Sequence, residues 1–367
     1  MKKTITFLYE RYYDFDKEVV TIGGIQTYLT ELMKICLGLG YDVQLFQMGD
    51  TDRHAEVDGI SIVQTRVEGH DYEGFFRTVA DTIHGEARVV FGTDIMVPKD
   101  LRGIKAIGIQ HGIFWDVPTA PRRGGDVRMF LSKALRNYKF IRRVRPLDTL
   151  VCVDYNYVNW LRAETDCVRT NLRVIPNYTK IAPVYRKPED TVNIIFARRL
   201  WEYRGTRVFA EAAGRIVREY GNVHVTVAGT GPDEKYMRDA LAAYPNVSFI
   251  TYGSSESLGI HADKHIAVVP TVGSEGTSLS LLEAMSAQCA VIASNVGGMT
   301  NIILDDYNGV MVNAGDADDL YRAMKRLIDN PDDRKRLSGK AYETVRQAFS
   351  YEKWSDRWTG VLKSFME

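Results

Sequence analysis

The stretch HIAVVPTVGSEGTSLSLLEAMSAQCAVIASNVGG, His265 to Gly298, governs how the rest of the chain is read. It runs from an apolar β-rich segment, HIAVVPT, through a loop of small residues, VGSEGT, into SLSLLEAMSA. A second apolar segment, AVIASN, and a glycine pair follow. Ser278 or Ser280 can cap the helix, and Leu279, Leu281, Leu282, Ala284 and Met285 fill its buried side. Strand, loop, helix and strand form one unit of a parallel sheet. A helix N-terminus attracts anions through its unpaired N–H groups and its dipole. Glu275 and Glu283 flank this one. Bare carboxylates would repel a phosphate, so they suit neutral hydroxyls at the two ends of a diphosphate-containing ligand. Eight helical residues would separate them by ~12 Å.

Working outward, the same alternation fills the chain. TITFLYE, DVQLFQM, GISIVQT, ARVVFG, KAIGIQHG and TLVCVD read as strands before it; VNIIFARR, VHVTVAG and VSFITYG lead up to it, and GVMV follows. Segments with period near 3.6, such as GIQTYLTELMKICLGLG and GTRVFAEAAGRIVREY, lie between them. This pattern predicts parallel sheets covered on both faces. It pauses at RVIPNYTKIAPVYRKPEDTVN, where Pro176, Pro183 and Pro188 interrupt any period, so the domain boundary is placed near residues 177–190. The expected organisation is α/β, with doubly wound domains over 1–177 and 178–350. Ligands of such sheets gather at the carboxyl ends of the strands, so two facing domains would share a cleft. The last helix, 351–367, carries Trp354, Trp358, Leu362 and Phe365 on one stripe and can pack on either domain.

Lys plus Arg and Asp plus Glu both total 47, so bulk charge gives no support to nucleic-acid binding. The four cysteines, Cys36, Cys152, Cys167 and Cys289, form no Cys-x-x-Cys pair, which argues against zinc and against a disulfide framework. The N-terminus lacks the apolar core of a secretory signal, and no apolar run approaches ~20 residues. A cytoplasmic location is expected.

PTVGSEGTSLSLLEAMSAQCAVIASNVGG resembles the donor-binding signature of retaining GT-B glycosyltransferases of family 4 (glycosyl transferases group 1). The resemblance implies two Rossmann-like domains and a nucleotide-sugar substrate. It assigns Glu275 to the transferred sugar's hydroxyls and Glu283 to the ribose diol. Backbone amides near Thr277, Ser278 and Leu279 would meet the distal phosphate. FARRLWEYRGTRVFAEA resembles the family's Gly-Arg-Leu…Lys-Gly segment. Aligned on Leu200 and Gly205, Arg199 takes the arginine, Arg204 replaces the lysine, and Arg198 stands where glycine is common. Fixed cations there would stabilise a departing nucleoside diphosphate. VAGTGP, with Gly229 and Gly231, resembles the Gly-x-Gly-Pro element. TIGGIQTYL places Gly23 and Gly24 where bare backbone can line a cleft. VIPNY carries Tyr178 where the family has glycine, and Asn301 replaces a usual glutamate. His111 follows a strand where related enzymes carry a histidine, with Trp115 and Asp116 near an acceptor pocket.

The resemblance implies retention at the anomeric carbon, no cofactor, and transfer of a hexose or deoxyhexose to a glycan or lipid-linked saccharide acceptor. No metal is assigned. The Asp-x-Asp look-alikes, Asp14–Asp16 and Asp316–Asp319, read as a loop and an acidic helix start. Residues 121–146 hold nine Lys/Arg against one Asp, a net +8. Phe130, Ala134, Tyr138, Ile141 and Val144 recur there at helical spacing. That helix either buries its stripe in the first domain or lies on the inner face of an anionic membrane. A sugar-nucleotide epimerase and a catalytically silent glycan-binding subunit are the competing readings.

Overall fold

The computed structural model describes the chain except residues 1, 2, 22, 84–86, 113–126, 166–169, 184, 254, 255 and 274. Trp115, Asp116 and Cys167 lie outside the described residues. The chain falls into two compact units. Met1–His111, Arg123–Ile175 and Ser355–Glu367 make the first, and the second is built mainly from Pro176–Trp354.

The first unit contains strands β1 (Thr4–Tyr9), β2 (Tyr13–Asp14), β3 (Val19–Val20), β4 (Asp42–Gly49), β5 (Arg53–Val57), β6 (Ile60–Arg66), β7 (Arg88–Phe91), β8 (Lys105–Gln110), β9 (Thr149–Cys152) and β10 (Asn171–Val174). Its helices are α1 (Gly24–Gly38), α2 (Tyr72–Thr82), α3 (Val127–Val144) and α4 (Tyr155–Glu164). The eight-stranded sheet has the order β10-β9-β8-β7-β1-β4-β6-β5, and β2-β3 is a separate ribbon. All pairings in the large sheet are parallel except β5 with β6. Its central strands are apolar on both faces, as a sheet covered by helices on both sides demands. The two edge strands, β5 and β10, are short and half-exposed, and sequence patterning leaves both unrecognised.

The second unit contains β11 (Val192–Ala197), α5 (Thr206–Glu219), β12 (Val223–Ala228), α6 (Glu234–Leu241), β13 (Val247–Ile250), β14 (Ile266–Val269), α7 (Leu279–Ser286), β15 (Ala290–Ser294), β16 (Val310–Val312), α8 (Ala317–Asp329) and α9 (Pro331–Ala348). Its sheet order, β13-β12-β11-β14-β15-β16, is wholly parallel and of the doubly wound type. The order reverses between β11 and β14, the position at which such sheets bind ligands.

The final helix, α10 (Tyr351–Met366), contributes its first turn to the second unit and the remainder to the first. Trp354 stacks on Tyr178 with ring centroids 4.5 Å apart, so the aromatic at position 178 packs where the family has glycine. In the first unit Trp358 Nε1 donates to Tyr28 Oη at 2.7 Å, and Arg88 Nε donates to the Phe365 carbonyl at 3.1 Å. Cys36, Cys152 and Cys289 are free and buried. Among the described residues, no helix is long and apolar enough to cross a membrane.

Candidate donor site

Arg198 follows β11 and Thr271 follows β14, so the sheet itself delivers both residues to its switch point. Extended chain alternates its side chains. Arg198 and Leu200 therefore turn inward, and Arg199 between them faces solvent. The buried guanidinium of Arg198 grips Glu275, with Nη2 2.7 Å from Oε1 and 2.5 Å from Oε2. Its Nη1 donates to Thr271 Oγ1, which donates in turn to Glu275 Oε2 at 3.0 Å. Arg204 Nη1 forms a second ion pair with Glu275 Oε1 at 2.7 Å. Burial works to raise the Glu275 carboxyl, but Arg198 and Arg204 outweigh it and hold the group down to about 2. Glu275 is thus a fixed anion.

The geometry gives a role to a residue that the sequence left without one. Arg199, aligned with the family arginine, is exposed and makes no ion pair among the described residues. Arg198, aligned with a glycine, makes the contact with Glu275. The sequence signal for this was parity: counting inward from apolar Leu200 places 198, not 199, on the buried side.

Helix α7 begins at Leu279, with Ser278 at the N-cap. Glu275 therefore precedes the helix, and the ~12 Å helical spacing does not apply. The first N–H groups of α7, around Leu279, have no acceptor within the helix. Asn177 Nδ2 donates to the Thr277 carbonyl at 2.8 Å, which pins the approach to that terminus. Glu283 lies inside α7 and accepts from Ser257 Oγ at 2.8 Å. Burial pushes its carboxyl up to about 7, with the Ser257 bond pulling the other way. The two glutamates thus sit in opposite electrostatic states.

Backbone crowding explains several glycines. A Cβ on Gly229 would lie 2.1 Å from the Arg198 carbonyl oxygen, and one on Gly231 2.4 Å from that of Leu200. Both have φ in the region that favours glycine, +132° and +159°, so the VAGTGP turn is built to let the Arg198 strand end pass. Gly298 N donates to the Glu275 carbonyl at 2.7 Å.

In the first unit Gly24 opens α1, and Gly23 is extended at φ 177°, which any residue adopts. His111 follows β8, and its Nε2 donates to the Gly92 carbonyl at 2.9 Å. Its ring meets Tyr28 edge-on at 5.2 Å. Burial lowers its pKa to about 4, against the Gly92 bond, so the ring is neutral and Nδ1 keeps its lone pair. The Asp-x-Asp look-alikes serve local turns. Asp14 accepts from the Asp16 and Lys17 amides, and Asp316 caps α8 through Asp319 N.

Helix α3 divides the predicted stripe. Ile141 and Val144 are buried, whereas Phe130, Ala134 and Tyr138 are exposed, together with Val127, Leu131 and Leu135.

A doubly wound sheet with a carboxylate clamped between guanidiniums at its switch point defines a ligand-binding α/β domain. Residues 177–344 match the model for glycosyl transferases group 1. An uncharacterized glycosyltransferase, MJ1607, of Methanocaldococcus jannaschii is 26% identical over 183 residues, which are 49% of this chain and 46% of the relative. The chain thus spans about half the length of the curated relatives it matches. Sucrose-phosphate synthase from Thermosynechococcus elongatus shares the fold with a TM-score of 0.77 at 16% identity, covering 99% of each chain. Alr3699/HepE of Anabaena, solved in complex with UDP and glucose, gives 0.72 at 12% identity over 99% of this chain and 100% of that one. The fold is GT-B.

Proposed function

We propose that this chain is a retaining glycosyltransferase that moves a hexose or deoxyhexose from a nucleoside-diphosphate sugar to a glycan or lipid-linked saccharide in cell-surface polysaccharide biosynthesis. The observation that carries the reading is the Glu275–Arg198–Arg204 set at the switch point of β11 and β14, inside the family segment. The UDP and glucose in the HepE complex support a nucleotide-sugar donor.

In this reading Arg198 holds Glu275 so that the carboxylate can accept from the donor sugar's hydroxyls. Arg204 and exposed Arg199 meet the diphosphate, with the first N–H groups of α7 around Leu279, and Glu283 accepts from the ribose diol. Gly229 and Gly231 shape the wall of the same site. As the bond from anomeric carbon to phosphate oxygen breaks, negative charge grows on the diphosphate, and the fixed cations and amide dipoles stabilise it. The acceptor hydroxyl attacks from the face the leaving group vacates, and the departing oxygen takes its proton. No metal is required, because arginines and a helix terminus supply the charge. His111, neutral with Nδ1 as an acceptor, suits a sugar hydroxyl, and Gly23 and Gly24 leave bare backbone at the start of α1 for a ligand to approach.

A thermal-shift panel of nucleotide sugars tests this, since a true donor stabilises the fold by mass action. A flat response to every uridine, guanosine and thymidine diphosphate sugar, at concentrations that saturate ordinary donor sites, would refute it. The exposed apolar face of α3 among its cations supports peripheral contact with an anionic membrane from the cytoplasmic side.

A further inference from the structure

We propose that the first unit carries a second ligand site, between α10 and the edge strand β10 and reaching the starts of β8 and β9, that takes an acidic saccharide, either carboxylated or phosphorylated. A cavity of about 540 Å³ opens there, within the size range of small-molecule pockets. Thr149 and Asn171, register partners at the starts of β9 and β10, form one wall with Lys105 at the start of β8. The far wall is α10. Because β10 is the edge strand of the sheet, no further strand closes this side.

The lining has three kinds of chemistry. Lys105, Arg173 and Arg357 supply positive charge. Lys105 and Arg173 make no ion pair among the described residues, so their charge is free to meet a ligand. Asp148, Asp356, Asn171 and Ser364 supply hydroxyl-binding groups. Asp148 Oδ2 already accepts from Ala106 N at 2.7 Å, whereas Asp356 has no partner among the described residues. Ile175, Val361 and Phe365 form an apolar patch suited to the C–H face of a sugar ring. Cations alone would suit a bare anion, but Asp356 repels one. A neutral sugar would leave Lys105 and Arg173 unmatched. A polyol bearing one acidic group satisfies both sets.

The lining takes Arg173, Val174 and Ile175 from the edge strand β10 and the residue after it, two strands across the sheet from β8 and His111. Lys105 and Gln110 are the two ends of β8, and six residues of strand span about 17 Å. None of the residues that line the cavity belongs to the second unit, which holds the candidate donor site.

Isothermal titration of the full chain with glucuronic acid and with glucose 6-phosphate tests the proposal, with glucose and inorganic phosphate as controls. At least one acidic sugar should bind about tenfold or more tightly than either control. Arg173→Ala and Lys105→Ala should each weaken that binding about fivefold or more, with unchanged far-UV circular dichroism; both side chains are solvent-facing and their loss leaves the core intact. Asp356→Asn should weaken the acidic sugar yet tighten inorganic phosphate, which a simple anion site would not do. Failure of both acidic sugars to bind overturns the proposal. So does phosphate binding equal to that of glucose 6-phosphate, or binding that Arg173→Ala leaves unaltered.

Discussion

Arg198 and Glu275 form a two-pronged buried ion pair, with one guanidinium nitrogen 2.7 and 2.5 Å from the two carboxylate oxygens. They are 77 residues apart in sequence and belong to different strand ends of one sheet. A buried pair of this kind contributes little if both partners are replaced together, but leaves an uncompensated charge if one is removed. Replacing Arg198 by methionine should therefore cost about 3–5 kcal/mol of stability, read from urea denaturation. The Arg198→Met/Glu275→Gln double variant should recover part of that loss. A single-variant cost below about 1 kcal/mol would show that Arg204 alone sustains the carboxylate. The depressed Glu275 carboxyl adds stability that is present above its ordinary value of 4.5 and lost as pH falls towards 2. In the Glu275→Gln variant that acid-side loss should shrink.

Kinetics should separate the two glutamates. Glu275→Ala is expected to lower kcat by about a hundredfold or more, because it removes a fixed charge beside the reacting sugar. Glu283→Ala should chiefly raise the donor KM, on the order of tenfold, the scale of one charged hydrogen bond. Equal and slight effects from both would undo these assignments.

Glu283 also predicts a pH dependence of opposite sign. Its carboxyl stands at about 7 in the folded chain against an ordinary 4.5, so the folded state holds its proton longer. Stability from this group is complete below 4.5, declines as pH rises to about 7, and is constant beyond. Glu283→Gln should accordingly raise Tm at pH 8 and leave it nearly unchanged below pH 4.5, the gain amounting to about 1–3 kcal/mol. Donor affinity in the parent chain should climb through neutrality as the carboxylate ionises. A pH-independent Tm difference between the two proteins would rule this out.

On α3, Phe130 and Leu131 are exposed beside Lys133 and other cations. Co-sedimentation with vesicles containing phosphatidylserine should exceed that with neutral vesicles and fall with salt. Phe130→Ser/Leu131→Ser should reduce it several-fold without changing Tm, since neither side chain supports the core. Equal pelleting with neutral and anionic vesicles would remove the membrane from consideration.

Turnover should persist in EDTA, with the charge of the leaving diphosphate carried by arginines and backbone amides. Abolition by chelator with rescue by manganese would place a metal in the mechanism instead.

How much of this was legible beforehand depends on where each signal lives. The central strands announce themselves as apolar runs because both faces of the sheet are covered. RHAEV and NLRV, at the sheet edges, carry charges and alternate only weakly, so they pass for loop. Glu275, Glu283 and the start of α7 can be found by motif, since their chemistry and spacing are local. The exposed stripe on α3 is visible as a period, but not which part of it the fold buries.

The amino-acid sequence by itself determined the alternation of strands and helices, the doubly wound sheets, and the residue types gathered around the SEGTSLSLLEAM helix. Parity from Leu200 marks Arg198 as the buried arginine, but only the tertiary structure decided that its partner is Glu275 and that the two glutamates differ so far in protonation. A strand end admits every second side chain, and the partner it meets comes from another crossover of the sheet. Burial then acts through distance in space, and spacing along the chain does not record it.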